Sequence, residues 1–266
     1  MNYFQTQLEQ NNKLFIPFIT AGDPSPEATV DIALALQEAG AAAIELGIPY
    51  SDPLADGPVI QRASARALKQ GMNIVKAMEL VPVMRENGVK IPVILFTYYN
   101  PVLQLGKENF FALMRENSVD GLLVPDLPYE ENEQLRSRCK EENIYFISMV
   151  APTSSSRLKK IAEASDGFLY CVSSLGVTGE RKEFDEEVFR FIKEVKAISP
   201  IPVAVGFGIS SGEQALKMNE IGDGVVVGSA LIRKLEELHE DLLSEHGRKT
   251  ALQQVKEFAG LFAQTV

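Results

Sequence analysis

Two acidic residues stand where a carboxylate is either costly or tightly constrained. Glu45 lies in Ala42-Ala43-Ile44-Glu45-Leu46-Gly47, with apolar residues on both sides. A carboxylate in that setting must be paired, hydrogen-bonded or protonated, because burial disfavours its charge and lifts its pKa toward neutrality. Such a group suits general acid–base catalysis, worth about 10²–10⁴-fold in rate. A glutamate tied into an internal salt bridge is the alternative. Asp56 follows in Ser51-Asp52-Pro53-Leu54-Ala55-Asp56-Gly57-Pro58. Pro49, Pro53 and Pro58 stiffen this segment and Gly57 permits a sharp turn, so a second carboxylate is held near a fixed place. Asp52 and Asp56 are also ordinary turn formers. A third group of residues carries no charge. Val205-Gly206-Phe207-Gly208-Ile209-Ser210-Ser211-Gly212 and Gly228-Ser229-Ala230 let backbone N–H groups approach an anion, and Ser229 adds a hydroxyl donor. Gly176-Val177-Thr178-Gly179 has the composition of a flap that closes over a ligand, or of a plain surface loop.

Other chemistries lack their residues. The two histidines, His239 and His246, sit in a charged C-terminal segment and read as solvated surface groups. With only Cys139 and Cys171 besides, neither a zinc or iron site nor a disulfide framework is expected. No lysine stands at the end of an apolar run, where an imine-forming aldolase would want one. Lys and Arg number 26 against 36 Asp and Glu, a formal charge of −10, which argues against a surface that grips nucleic-acid phosphates. Met1–Asn12 has no apolar signal-peptide core, and no apolar stretch approaches the ~20 residues needed to span a bilayer. A soluble, cytoplasmic protein is expected, without a membrane or nucleic-acid partner.

These groups must be positioned by a regular alternation of elements. Eight short apolar runs recur: Leu14–Ile19, Ala43–Leu46, Pro92–Thr97, Gly121–Val124, Ile144–Met149, Phe168–Val172, Pro202–Val205 and Gly224–Gly228. Runs without polar alternation imply strands buried on both faces, as in a parallel sheet covered by helices. Between them lie amphipathic stretches at Pro26–Ala39, Ile74–Glu86, Lys107–Asn117, Glu130–Glu142, Ser154–Ala164, Glu186–Ile198 and Gly212–Glu220. Eight such units in about 250 residues predict a single (βα)8 TIM barrel, α/β in class. An open doubly wound sheet is the alternative. An extra helix is expected at Met1–Asn11, a terminal helix at Thr250–Gln264, and additional helices in the loops. No linker divides the chain, so residues 1–266 read as a single TIM-barrel domain. In a barrel, catalytic residues sit on the loops that follow the strands, and a phosphate is often held after the seventh and eighth strands. Glu45, the Asp56 loop and both glycine clusters all fall there.

The fourteen-residue stretch Glu45–Pro58 closely resembles the signature of the tryptophan synthase alpha chain family. Phe18-Ile-Thr-Ala-Gly-Asp-Pro24, Val124-Pro-Asp-Leu-Pro128, Ala151-Pro-Thr153, Gly176-Val-Thr-Gly179 and Gly206-Phe-Gly-Ile-Ser210 are similar to that family's further motifs, in its order and across nearly the whole chain. The resemblance implies a lyase of tryptophan biosynthesis that cleaves indole-3-glycerol phosphate to indole and glyceraldehyde 3-phosphate. It implies Glu45 and Asp56 as the catalytic pair. Phe18, Thr20 and Phe96 would line the indole pocket, Tyr170 would pack against Glu45, and Gly179, Gly208, Gly228 and Ser229 would hold the phosphate. Thr178 would meet the Asp56 loop on closure. No cofactor is implied for this chain. The implied partner is a pyridoxal-phosphate-dependent tryptophan synthase beta chain, in an alpha2beta2 tetramer, with Asp52, Pro53, Asn100 and Asp126 near the interface. The chain departs from the family at Ser173-Ser174-Leu175, where some members carry a basic residue, and at Phe96, where a smaller aliphatic residue is common.

Two other readings accommodate part of this pattern. A stand-alone indole-releasing lyase would use the same residues without a partner. A non-catalytic regulatory subunit would keep the phosphate site, but would have no need of Glu45 and Asp56. Other phosphate-binding barrels explain the glycine clusters and leave Glu45–Pro58 unexplained.

Overall fold

The computed structural model describes residues 13–172, 186–206 and 208–263. The expected helix at Met1–Asn11 and the 176–179 segment lie outside them. The strands are β1 (Leu14–Thr20), β2 (Ile44–Gly47), β3 (Val93–Phe96), β4 (Gly121–Leu123), β5 (Tyr145–Phe146), β6 (Ser148–Val150), β7 (Leu169–Val172), β8 (Val203–Gly206) and β9 (Gly224–Val227). All pairs are parallel, in the order β5-β4-β3-β2-β1-β9-β8-β7-β6. The two outermost strands, β5 and β6, are consecutive in the chain with only Ile147 between them. The Ile147 amide still donates to the Leu122 carbonyl at 2.8 Å, prolonging the β4 ladder. The ring of eight runs is therefore present, with its fifth run broken in the middle and the barrel closed through Ile147.

The strands form where expected because almost every strand residue is buried, inward or outward. Helices lie between them at Pro26–Glu38, Pro58–Lys69, Ile74–Glu86, Tyr99–Leu105, Lys107–Glu116, Glu133–Glu141, Leu158–Glu163, Glu186–Ile198, Gly212–Asn219, Ser229–Glu237, His239–Leu243 and Arg248–Ala263. Their starts are chemically marked. The Ser25 side chain accepts from the Ala28 amide with Pro26 at the first turn, Asn73 accepts from the Val75 and Lys76 amides, and Ser211 accepts from Gln214. The stretch predicted as a helix over Ser154–Ala164 begins instead as a 3-10 turn at Pro152–Arg157. The long connection after β2 contains the helix Pro58–Lys69, one of the additional loop helices.

Charged clamps hold helices to strand starts. Asp120 accepts from the Val93 amide at 2.8 Å and from Arg85 at 2.5 Å; Asp223 accepts from the Val203 amide at 2.8 Å and from Lys196 at 2.6 Å. Hydrogen bonds to charged groups of this kind are worth about 1.5–3 kcal/mol each. On the opposite face, Asp23 takes both forks of Arg66 at 2.8 and 2.9 Å, and Arg66 reaches Glu236 at 2.7 Å. Arg62 closes the network on Glu236 at 2.8 and 2.7 Å. The first loop, the helix Pro58–Lys69 and the helix Ser229–Glu237 are thereby tied together.

Candidate active site

Strand register decides which side chains meet. Phe18 pairs with Glu45 and Glu45 with Ile94, while Thr20 pairs with Gly47 and Gly47 with Phe96. Tyr170 pairs with Ala204, Val172 with Gly206, Ala204 with Gly224, and Gly224 with Leu14. Neighbours in register point the same way and alternate residues share a face. Phe18, Thr20, Glu45, Phe96, Tyr170 and Gly206 therefore face one another across the barrel interior, near its C-terminal rim. Two close approaches bear this out. A Cβ on Gly206 would stand 2.2 Å from the Tyr170 hydroxyl oxygen, and one on Gly47 would stand 2.3 Å from the tip of the Phe18 ring. Phe18 and Phe96 meet edge to face with ring centroids 5.3 Å apart.

Glu45 lies in this apolar cup with 1% exposure. Among the described residues its Oε1 has no hydrogen-bond partner, and burial pushes its pKa up to about 8. The salt-bridge alternative fails among the described residues, since no cation there acts on the carboxyl. The hydroxyl of Thr20 is likewise buried without a partner. Burial and the charge of Glu45 together push the Tyr170 phenol well above its ordinary value. A carboxyl with a pKa near 8 is mostly protonated at neutral pH, yet close enough to give up and regain its proton.

Asp56, 6% exposed, lies on the proline-stiffened loop above β2. Burial raises its pKa to about 6, and hydrogen bonding from the Tyr98 hydroxyl pulls it part-way back. The Ala55 amide donates to that same hydroxyl at 2.9 Å, and Gln61 donates to the Asp56 carbonyl at 2.7 Å. Asp56 Oδ1 has no partner among the described residues. At pH 7 the two carboxyls thus differ in state, Glu45 largely protonated and Asp56 largely ionised, a separation typical of assigned acid and base roles.

The glycine clusters end at helix starts on the same rim. Gly208 has φ +97°, a conformation that suits glycine, just before the helix Gly212–Asn219. Gly228 precedes the helix Ser229–Glu237 with no side-chain cap, and the first-turn amides of a helix begun in this way suit an anion. Gly228 also lies beneath Phe18, whose Cβ would be 3.6 Å from an added methyl. Thr178 and Gly179 lie outside the described residues. Asp52 and Pro53 sit on the outer part of the Asp56 loop beside Leu54, which is 75% exposed. Asn100 donates to the Tyr50 hydroxyl at 2.9 Å, and Asp126 accepts from the Tyr99 amide at 2.9 Å. Those two interactions join the loops after β2, β3 and β4.

Tyr98 is the residue that the sequence reading missed. Its signal was positional: an aromatic two residues past the end of β3, on the same rim as the Asp56 loop.

Comparison with known proteins points one way. A family model described as the tryptophan synthase alpha chain matches residues 4–266. A tryptophan synthase alpha chain from Bacillus subtilis (strain 168) is 64% identical over 260 residues, covering 98% of this chain and 97% of the relative. One from Geobacillus stearothermophilus is 58% identical over 252 residues, covering 95% and 94%. Among solved structures, tryptophan synthase subunit alpha from Legionella pneumophila superposes with a TM-score of 0.85 at 35% identity, covering 100% of this chain and 98% of that one. A chain of the tryptophan synthase complex from Pyrococcus furiosus gives a TM-score of 0.81 at 38% identity, covering 94% and 98%.

Proposed function

The chain belongs to the tryptophan synthase alpha chain family, and from that membership we propose that Glu45 and Asp56 carry out the family's cleavage of indole-3-glycerol phosphate. The chain is a carbon–carbon lyase of tryptophan biosynthesis, producing indole and glyceraldehyde 3-phosphate as the alpha subunit of an assembly with a tryptophan synthase beta chain. The observation that carries the catalytic assignment is Glu45 itself. It is a buried carboxyl with an unpartnered oxygen, in a cup of aromatic side chains, poised near neutrality.

The bond to be broken joins indole carbon 3 to a carbon bearing a hydroxyl. Glu45 gives its proton to carbon 3, which turns the ring into an electron sink with positive charge on the ring nitrogen. The resulting carboxylate takes the proton of the side-chain hydroxyl as the C–C bond breaks. Its electron pair returns to the ring and the hydroxyl carbon becomes an aldehyde. One proton is given and one recovered, so Glu45 ends as it began. Asp56, ionised, accepts the ring N–H and stabilises the charge that develops there. Phe18, Phe96 and Thr20 form the wall against the indole, and Tyr170 packs against Glu45. The amides at Gly208, Gly228 and Ser229 receive the phosphate; by resemblance to the family Gly179 would join them and Thr178 would meet the Asp56 loop.

Proton transfers suffice for this chemistry, so we infer that the chain works without a cofactor of its own, the pyridoxal phosphate belonging to the beta chain. We further assign Asp52, Pro53, Asn100 and Asp126 to the side facing that partner in an alpha2beta2 tetramer. The support is that their loops are joined on one rim and present the exposed Leu54. Residues 1–266 are read as one domain. No helix among the described residues is long and apolar enough to cross a membrane; the cytoplasm is the compartment we propose.

Glu45→Gln keeps the shape and removes the titrating proton. It is expected to lower indole release by at least 10³-fold, alone or with beta chain added, while circular dichroism and the urea midpoint stay native. Turnover close to wild type would overturn the assignment.

A further inference from the structure

We propose that Tyr98 is a positioning residue for Asp56, fixing the catalytic loop through its hydroxyl and presenting the carboxylate to the substrate. The proposal rests on the reading of Asp56 as the group that accepts the ring N–H. Tyr98 lies just beyond β3, on the segment leading into Tyr99–Leu105, and is 2% exposed. Its hydroxyl oxygen accepts the Ala55 amide at 2.9 Å, one residue before Asp56. A phenol has one proton to donate. With its oxygen engaged by the amide one residue before Asp56, that proton is left to donate, and the Asp56 carboxyl is the acceptor we assign to it, in keeping with the direction in which Tyr98 moves the Asp56 pKa. A buried Tyr98 beside a carboxylate keeps its own proton, since burial and the Asp56 charge both push the phenol up.

The ring is held in turn. Tyr50 packs on Tyr98 with centroids 5.4 Å apart, and Asn100 donates to the Tyr50 hydroxyl at 2.9 Å. From the other side, Gln61 of the helix Pro58–Lys69 grips the Asp56 carbonyl. The loop is thus fixed at two backbone groups, the Ala55 amide and the Asp56 carbonyl, which flank the carboxyl that the Tyr98 hydroxyl would hold. Asp56 Oδ1 remains open for a ligand. The titratable groups on the elements around it are Asp52 and Tyr50 on its own loop, Arg62, Arg66 and Lys69 on the helix that follows, Tyr98 and Tyr99 after β3, Asp126 after β4 and Glu45 in β2. Among the described residues only Tyr98 and burial act on the Asp56 carboxyl.

An aromatic that merely fills space would do the same work as phenylalanine. A positioning hydroxyl would not, because a donor to a carboxylate favours its charged form. The test compares wild type, Tyr98→Phe and Asp56→Asn, each saturated with beta chain, for indole release from indole-3-glycerol phosphate between pH 5 and 9. Tyr98→Phe is expected to lower kcat about tenfold. It is also expected to move the acid limb of the profile upward by about half a pH unit, with Asp56→Asn nearly inactive. Wild-type kcat and an unmoved acid limb in Tyr98→Phe, beside an inactive Asp56→Asn, would overturn the positioning role alone. Full turnover in Asp56→Asn would overturn the role of Asp56 and this proposal with it. Should Tyr98→Phe fold poorly, 3-fluorotyrosine at position 98 keeps the hydroxyl and makes it a stronger acid. The acid limb should then move downward, and an unmoved limb counts against the proposal.

Discussion

At the scale of single residues, the protein keeps two carboxyls apart in protonation by giving them different surroundings. Among the described residues burial is what moves the Glu45 pKa, whereas Asp56 has a phenol to offset part of the same penalty. The consequence is a bell-shaped dependence of kcat/KM on pH. Asp56 must be ionised, so activity rises through about pH 6; Glu45 must begin protonated, so activity falls through about pH 8. Indole release by the complex between pH 5 and 9.5 would reveal both limbs, and a flat profile over that range would refute the pairing of roles. Glu45 was legible in the sequence because one acid inside an unbroken apolar run has few structural excuses. Tyr98 was not, because an aromatic beside a strand reads as core and its hydroxyl partner, the Ala55 amide, lies 43 positions away.

Between elements, the helix that follows the Asp56 loop is anchored by charge more than by bulk. Pro58–Lys69 buries Ile60 together with the small residues Ala63, Ser64 and Ala67, while Arg62 and Arg66 converge on Glu236, and Arg66 on Asp23. Those arginines hold the Glu236 carboxyl down at about 2, hydrogen bonding from Arg62 contributing most. A folded-state pKa below the unfolded one adds stability that is fully present above about pH 4.5 and is lost as pH falls toward 2. Glu236→Gln is therefore expected to lower stability at pH 7 by about 1 kcal/mol, a modest figure because Glu236 is partly solvated. The difference from wild type should shrink on acidification below pH 4.5. Urea midpoints at pH 7, 4 and 3 would test this; a gap that stays constant would mean the charge is irrelevant. In the sequence this helix is legible only as one of the additional loop helices, without bounds, because it follows a segment of prolines and turn-forming residues that reads as loop. The strands were easier, since burial on both sides leaves runs with no polar alternation. The break in the fifth run was invisible, because Ile147 is as apolar as the residues around it.

For the whole molecule, the ring is uneven in its pairing. β1 spans seven residues and pairs on both sides, whereas β5 spans two and β6 three. Local opening is favoured where few ladder bonds hold the backbone. Hydrogen exchange followed by mass spectrometry should find the amides of 145–150 exchanging at least tenfold faster than those of 15–19. Equal protection would mean that the covalent link through Ile147 holds the seam as firmly as a full ladder. The register that brings Glu45, Phe18, Phe96 and Tyr170 together depends on β1, β2, β3 and β7, and only β7 pairs with a strand at the break.

That seam also governs how the chain behaves toward its own copies. A closed barrel offers no unpaired strand edge, and so no template on which another chain could add a strand. Loss of either short ladder, β4 with β5 or β6 with β7, would turn the ring into an open sheet with a free edge at each end, both lined by apolar residues. The hazard of aggregation is thereby concentrated in a few residues far along the chain from Glu45 and Asp56. Substitutions there would be felt first as loss of soluble protein in a crowded cell, before any change in the chemistry the barrel performs.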